Sequence, residues 1–402
     1  MAVHLPMRRL WTLDPAVTFL NHGSFGACPV PVLEGQSAIR ASLEREPVRF
    51  FIRELEPLLD AARAEVATLL GAAKEDIAFV PNATTGVNTV LRSLDLAPGD
   101  ELLTTDHAYN ACRNALEFVA ARAGARVTVA RLPFPLSAHN EEAAEDAIVN
   151  AVLDRVTSRT RLALLDQVTS PTALVLPIDR LVAELSGRSV LTLVDAAHAP
   201  AMVPLHLDRT GAAYTAGNFH KWACAPKGAA FLHVRRDLQE GVRPLTVSHG
   251  ANAARKDRSR FLLEADWTGT SDPSATLAIP AALRFLSGLV QGGLPALMAQ
   301  NRAAAIAARE ALLGALGTSP ICPNAMLGAM ASVILPGPAV TTGEEIDPLQ
   351  EALFERFHIE VPIFPFQGKR LLRVSTPIYT TPQDITALVD ALRALEVARP
   401  SR

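Results

Sequence analysis

The sequence places a lysine and a buried aspartate at the ends of two neighbouring predicted strands. The apolar run 190–195 ends in Asp195, and the run 212–217 leads into Lys221. Because the carboxyl ends of parallel strands meet at one edge of a sheet, both side chains are expected to face one crevice. A half-buried lysine has a lowered pKa and attacks aldehydes as a neutral amine. The pair is either a nucleophile with its carboxylate partner or an ordinary ion pair.

Pyridoxal phosphate requires both groups, because its aldehyde bonds a lysine and its ring nitrogen stays protonated opposite a carboxylate. Only five of the 38 basic residues are lysines. Lys227 is the one rival of Lys221, but it follows a proline in a predicted turn and is expected to point to solvent. Lys74, Lys256 and Lys369 lie in charged or turn-forming stretches. Lys221 is therefore the predicted nucleophile.

A phosphate site is predicted after the apolar run 77–80, where residues 81–86 lead into a helical pattern. Thr84 and Thr85 provide hydroxyls and the start of a helix provides free amides, which together bind phosphate. The same residues also suit a plain helix cap. The sequence contains no glycine-rich nucleotide motif, and its ten histidines show no metal-ligand spacing. Neither a nucleotide nor a metal is predicted.

The composition is that of an ordinary globular protein. Of the 402 residues, 49% are hydrophobic and 20% are charged, and the net charge is -3, which excludes a disordered chain and a broad basic surface for nucleic acid. No apolar run approaches the roughly 20 residues that cross a membrane, and no apolar segment follows the N-terminal charges. A cytoplasmic location is predicted. The four widely spaced cysteines are expected to be buried thiols.

Alternating apolar runs and helical patterns predict an α/β fold. Strands this apolar need cover on both faces, so we expect a mainly parallel seven-stranded sheet wrapped by helices. The predicted strands are 77–80, 101–105, 126–131, 161–166, 190–195, 212–216 and 229–234. The helices predicted between them are 85–94, 110–123, 141–156 and 178–186.

A smaller α+β domain is predicted for the C-terminal part of the chain. Its expected helices are 273–289, 294–316, 344–357 and 382–395, and its expected strands are 331–335, 361–366 and 371–375. The predicted division of the chain is an N-terminal segment near the active site (1–24), a large cofactor-binding domain (25–270) and a small domain (271–402).

Taken together, these motifs resemble the class V aminotransferase family of fold-type I pyridoxal phosphate enzymes, most of all its isopenicillin N epimerase-like members. The resemblance covers nearly the whole chain. The matching motifs are FLNHGSFG (19–26), PNATTGVN (81–88), DHAYN (106–110), TSPTA (169–173), VDAAH (194–198), GNFHKW (217–222), WTGT (267–270) and LRVS (372–375).

The resemblance implies pyridoxal 5'-phosphate as the cofactor. Lys221 would hold the cofactor and act as general base at the substrate Cα, and Asp195 would pair with the ring nitrogen. His198 would reach the phenolic oxygen of the ring. The other implied cofactor contacts are Thr84, Thr85, Asn218 and His220 for the phosphate, Ser170 beside His198, His107 stacked on the ring, and Thr270 contributed by a partner subunit.

The resemblance also implies a small-molecule substrate and a homodimer whose subunits share the active site. Arg373 would hold the α-carboxylate of an amino acid or peptide in a bidentate fork. Asn21, His22 and Tyr109 would border the substrate, with Tyr109 close enough to compete with His107 for the ring.

The shared machinery leaves the reaction open, because loss of the Cα proton precedes several outcomes. Epimerisation or racemisation follows the resemblance most directly, and β-elimination by a cysteine-type C–S lyase is the alternative. An aminotransferase or a non-catalytic cofactor carrier is less favoured. A cysteine desulfurase needs a nucleophilic cysteine shortly before the substrate-binding arginine, and residues 358–372 contain none.

Overall fold

The structure, a computed structural model, describes residues 7–136, 140–338 and 346–398. In chain order, the strands are β1 (Thr18–Phe19), β2 (Ile77–Val80), β3 (Glu101–Thr105), β4 (Arg126–Ala130), β5 (Thr160–Asp166), β6 (Leu191–Ala196), β7 (Tyr214–Asn218), β8 (Ala230–Val234), β9 (Met330–Pro338), β10 (Ile359–Glu360), β11 (Ile363–Phe366) and β12 (Lys369–Ser375).

The α-helices of four or more residues cover the sheets and connect their strands. They are α1 (His22–Phe25), α2 (Val30–Arg45), α3 (Leu55–Leu70), α4 (Ala83–Ser93), α5 (Asn110–Ala123), α6 (Glu141–Leu153), α7 (Ile178–Ser186), α8 (Leu207–Thr210), α9 (Arg260–Ala265), α10 (Ser274–Leu277), α11 (Ile279–Ser287), α12 (Gly293–Leu316), α13 (Pro348–Phe357) and α14 (Pro382–Ala394).

The central sheet has seven strands in the order β2-β8-β7-β6-β5-β3-β4. Its neighbours pair in parallel except β8, which is antiparallel to both β2 and β7. The prediction of a mainly parallel seven-stranded sheet is confirmed. Because β8 alone runs the other way, the carboxyl ends of the other six strands share one edge, where ligands of such sheets bind.

Two apolar layers cover the sheet because successive strand side chains point to opposite faces. In β5, Leu162 and Leu164 pack with buried residues of α4 and α5. Ala163 and Leu165 pack on the other face with buried residues of α6 and α7. This burial on both faces explains why the central strands read as continuous apolar runs.

The observed elements differ from the predicted ones mainly at prolines. The seven central strands match within two residues at each end, but the predicted helix 273–289 is two helices, and Pro280 lies in the first turn of the second. The predicted strand 361–366 begins after Pro362, since proline has no N–H to donate. Residues 344–345 of a predicted helix lie outside the described residues, and that helix begins at Pro348.

The C-terminal part of the chain carries an antiparallel sheet of order β11-β12-β9. The N-terminal strand β1 pairs in parallel with β10, which joins the start of the chain to this part. The predicted boundaries after residues 24 and 270 stay predictions. Among the described residues, the structure contains no helix with the length and apolar character needed to span a membrane.

Candidate active site

Asp195 and Lys221 lie at the shared edge of the central sheet. Asp195 of β6 is paired with Ala216 of β7, and Lys221 follows β7 by three residues. The Nζ atom of Lys221 lies 3.2 Å from Nε2 of His198. Burial, and then the charge of Arg373, lowers the pKa of Lys221 from 10.5 to about 8, although Asp195 opposes the shift. The amine is therefore about half neutral near pH 8.

The lowered pKa of Lys221 predicts the pH dependence of its reaction with aldehydes. Apoprotein treated with pyridoxal phosphate and then borohydride should label Lys221 at a rate that rises through about pH 8 and levels off above it, because only the neutral amine attacks. Peptide mass spectrometry measures the labelling. A midpoint near that of lysine in water, about 10.4, would contradict the burial of this amine.

The Asp195 carboxylate accepts two hydrogen bonds from the rest of the protein. Its Oδ1 accepts from the backbone N–H of Ala197 at 2.9 Å, and its Oδ2 accepts from the Cys112 thiol at 3.0 Å. Asp166, its register partner at the end of β5, has a pKa raised well above the usual range by burial and by the Asp195 charge. The raised pKa favours the neutral form of Asp166, which leaves Asp195 as the carboxylate that suits a protonated ring nitrogen.

Several buried ring nitrogens at this edge have no hydrogen-bond partner among the described residues. They are Nδ1 of His198, Nδ1 of His220 and Nε2 of His107. Burial lowers the pKa of His220 to about 4 and that of His198 well below its usual range, so both rings are neutral. Unpaired buried polar atoms are costly unless a ligand satisfies them. These nitrogens therefore fit a polar ligand such as pyridoxal phosphate.

The structure brings three of the predicted phosphate ligands, Thr84, Thr85 and Asn218, together at the start of α4. Asn82 caps this helix by accepting from the backbone N–H of Thr85 at 2.8 Å. Asn218, at the end of β7, accepts from the backbone N–H of Ala83 at 2.8 Å and so ties the helix to the strand that leads to Lys221. Thr84 and Thr85 are half-buried beside these amides. This geometry suits a phosphate at the start of α4, next to the strand that leads to Lys221.

His107 follows β3 and is fully buried beside two aromatic rings. Its Nδ1 lies 3.1 Å from Oδ1 of Asp106, and its ring centroid lies 4.6 Å from that of Phe366. Burial raises the pKa of Asp106, but the hydrogen bonds from His107 and from the Leu132 amide lower it overall. Asp106 accepts the Nδ1 proton of His107, and Nε2 of the same ring has no hydrogen-bond partner among the described residues.

Arg373 of β12 is almost completely buried at the same edge. It donates to the backbone carbonyl of Ser170 at 2.7 Å and to the Ser24 hydroxyl at 3.0 Å, and its guanidinium carbon lies 4.9 Å from the centre of the Phe364 ring. The turn that presents Ser170 contains Ala173 with φ of 57°, a left-handed conformation that few non-glycine residues adopt. Arg373 is thus oriented before any substrate binds.

Replacing Arg373 with lysine should weaken substrate binding. A lysine keeps the charge but cannot make the bidentate contact, so KM for the amino acid is expected to rise by roughly 10- to 100-fold, as for loss of a charge-assisted hydrogen bond. Arg370→Lys is the matched control, because Arg370 lies on the same strand and bonds Asp347. Steady-state kinetics check both variants, and equal KM values would contradict the carboxylate role of Arg373.

The predicted substrate-bordering residues have different surroundings. Tyr109 is 46% exposed just before α5. Asn21 donates to Glu360 at 3.0 Å and accepts from the Ser24 hydroxyl at 2.6 Å, which connects it to Arg373. His22 is fully buried, and both of its ring nitrogens are used inside the protein.

Thr270 is the predicted site residue that the described chain does not bring to the others. It is exposed in the loop that follows Trp267, and its predicted role in a partner subunit stays a prediction. The sequence analysis missed Ser24, Cys112 and Tyr379. Ser24 lies in the FLNHGSFG motif, so the sequence could have indicated it. Cys112 and Tyr379 contact residues that are distant in the chain, and no local sequence pattern indicates such contacts.

The fold and these residues define a family. Residues 47–330 match the family model described as aminotransferase class-V, and the chain belongs to that family. Its fold is that of the fold-type I pyridoxal phosphate enzymes.

Individual relatives are similar over nearly the whole chain. Isopenicillin N epimerase of Amycolatopsis lactamdurans is 38% identical, with 96% of each chain covered. A probable chloroplastic L-cysteine desulfhydrase of Arabidopsis thaliana is 32% identical over 95% of this chain and 83% of its own. Among solved structures, a lysine-to-alanine variant of C-DES, with glycine covalently linked to its PLP cofactor, has a TM-score of 0.81 and 21% identity over 96% of this chain and 98% of its own.

Proposed function

We propose that this chain is a pyridoxal phosphate enzyme that removes the Cα proton of an amino acid and adds a proton on the opposite face, as an epimerase or racemase does. The observation that carries the proposal is a pair of nitrogen atoms at one edge of the sheet: the Lys221 amine, whose pKa burial lowers to about 8, and Nε2 of His107, which has no hydrogen-bond partner among the described residues. Inversion needs an acid or base on each face of the reacting carbon. The 38% identical epimerase supports the same reaction class.

Pyridoxal 5'-phosphate is the cofactor, and when bound it supplies an electron sink for the charge that develops at Cα. Lys221 would hold its aldehyde, Asp195 its ring nitrogen, and His198 with Ser170 its phenolic oxygen. Thr84, Thr85, Asn218 and His220 would hold the phosphate, and Thr270 of a second subunit would complete that site.

In the proposed mechanism Arg373 binds the substrate, and Lys221 and His107 exchange protons with its Cα. The Arg373 guanidinium, oriented by Ser170 and Ser24, binds the α-carboxylate. This contact determines which bond of Cα is directed towards the Lys221 amine. The amine of Lys221 takes the Cα proton. Nε2 of His107, whose ring is oriented by the contact between Nδ1 and Asp106, would deliver a proton to the other face and would take one from that face in the reverse direction.

The cysteines argue against a persulfide mechanism. All four are buried, and burial raises the pKa of Cys28 and Cys224 to about 12 and that of Cys322 to about 11. Cys112, the thiol closest to the site, has its pKa raised by burial and by Asp195, to which it donates. Since the thiolate is the nucleophile, none of these residues is prepared to accept sulfur from a substrate.

A C–S lyase is the second candidate, because a cysteine desulfhydrase is 32% identical over 95% of the chain. In that reaction Lys221 removes the Cα proton, the Cβ–S bond breaks, and the sulfur leaves as hydrogen sulfide. Hydrolysis of the remaining fragment gives pyruvate and ammonia. The reaction needs no catalytic cysteine and no base on the second face.

A proton NMR time course in deuterated water distinguishes the two reactions. Holoenzyme is incubated first with L-cysteine and then with a panel of amino acids, and the α-proton, pyruvate and the D-enantiomer are followed together. Loss of the α-proton with formation of the D-enantiomer would support the epimerase proposal. Pyruvate formation would replace it with the lyase.

The homodimer and the cytoplasmic location remain proposals that accompany this function. The dimer rests on the resemblance, which implies that Thr270 completes the phosphate site of a second copy. Size-exclusion chromatography with light scattering checks it, and a monomeric, fully active holoenzyme would overturn the shared site.

A further inference from the structure

His22 lies in a closed aromatic pocket behind the catalytic lysine. Its ring centroid is 5.0 Å from that of Trp222 and 5.7 Å from that of Tyr379, and its side chain has no exposed surface. The backbone at Gly26, four residues along the chain, is also tightly packed. A Cβ atom added to Gly26 would lie 2.0 Å from the His220 carbonyl oxygen. No substrate atom can reach this ring without displacing one of its neighbours.

The hydrogen bonds of His22 determine its tautomer. Nε2 lies 3.0 Å from the backbone carbonyl oxygen of Lys221, and because a carbonyl can only accept, Nε2 carries the proton. Nδ1 lies 2.7 Å from the hydroxyl of Tyr379, so the hydroxyl donates to it. Burial lowers the pKa of His22 to about 3 and raises that of Tyr379 well above its usual range, so neither group changes charge near neutral pH.

The carbonyl that His22 holds belongs to an irregular turn. The Lys221 carbonyl also accepts from the backbone N–H of Cys224 at 3.0 Å, and Cys224 has φ of 53°, which is unfavourable for a residue with a side chain. The turn ends where Ala225 donates to the Phe219 carbonyl at 3.0 Å. A second donor on the Lys221 carbonyl stabilises this conformation and with it the direction of the lysine side chain.

We propose that His22 is a positioning residue for Lys221: its Nε2–H holds the lysine backbone, and the Tyr379 hydroxyl keeps that proton on Nε2. The arrangement connects three distant parts of the chain, namely the N-terminal segment, the turn after β7 and the loop after β12. This inference rests on the proposed function, in which Lys221 binds the cofactor and moves the proton. It differs from the predicted role of His22 at the border of the substrate.

Two substitutions of His22 distinguish the hydrogen bond made by its Nε2 from the one made by its Nδ1. In His22→Gln, the amide nitrogen replaces Nε2 and keeps the donor to Lys221, whereas in His22→Asn the shorter amide reaches only the Nδ1 position beside Tyr379. We expect His22→Asn to lower kcat at least tenfold with KM within twofold of wild type, and His22→Gln to restore most of kcat. Tyr379→Phe should have an intermediate effect, because only the tautomer control is lost.

A second readout does not depend on turnover. Holoenzyme is reduced with borohydride, and the fraction of Lys221 that carries the cofactor is measured by peptide mass spectrometry. We expect this fraction to fall in His22→Asn and to stay near the wild-type value in His22→Gln, with far-ultraviolet circular dichroism confirming that both variants fold.

A rise in KM without a change in kcat, or equal trapping and kcat in both variants, would overturn the positioning role. Failure to trap the cofactor on Lys221 in the wild type would overturn the proposed function, and the inference with it. The two failures are thus distinguishable.

Discussion

Lys221→Ala is expected to abolish the visible absorption band of the bound cofactor and to lower kcat by about 10³-fold or more. Both effects follow from one residue, because the amine of Lys221 is the proposed attachment point and the base at Cα. Its position 3.2 Å from His198 and its pKa of about 8 make it the described lysine best prepared for this chemistry. Absorption spectra and steady-state kinetics of the purified variant measure the two effects.

Lys227→Ala is the matched control for that experiment. Lys227 also has a pKa lowered by burial, but its Nζ donates to the Gly26 carbonyl at 2.9 Å, in a different place from Asp195. We expect Lys227→Ala to keep the visible band. A band that survives in Lys221→Ala and disappears in Lys227→Ala would reverse the assignment.

His107→Phe is expected to separate proton exchange from inversion. Phenylalanine preserves an aromatic ring beside Phe366 and Phe134 but removes Nε2, the proposed second base. With an L-amino acid in deuterated water, Lys221 should still exchange the α-proton within about threefold of the wild-type rate. Formation of the D-enantiomer should fall by about 10²-fold or more, the usual size of a lost acid–base group. Proton NMR and chiral chromatography measure the two rates.

Asp106→Asn should have a smaller effect on inversion than His107→Phe. The asparagine can still accept the Nδ1 proton through its amide oxygen, although without the charge that favours it. Unchanged inversion in His107→Phe would show that the second proton donor is another group, and the exposed Tyr109 would then be the next residue to test. Loss of exchange and inversion together would place His107 on the same face as Lys221.

Much of the fold could be predicted because it depends on local pattern. The apolar runs at 162–165 and 191–195 are continuous because both faces of the sheet are covered, and this burial is visible in the sequence itself. The errors near residues 280 and 362 are also local, since proline lacks the N–H that a continuing helix or strand needs.

The sequence by itself determined the chemistry of the proposed site: a scarce lysine and a buried aspartate at the ends of adjacent parallel strands, a helix start with two threonines, and a buried arginine. Only the tertiary structure decided how these groups are oriented. The contacts that do so join residues far apart in the chain, such as Cys112 to Asp195 across 83 positions, His22 to Tyr379 across 357, and Ser24 to Arg373 across 349. Such pairs leave no periodic pattern, because each contact depends on how separate elements pack and not on the conformation of either segment.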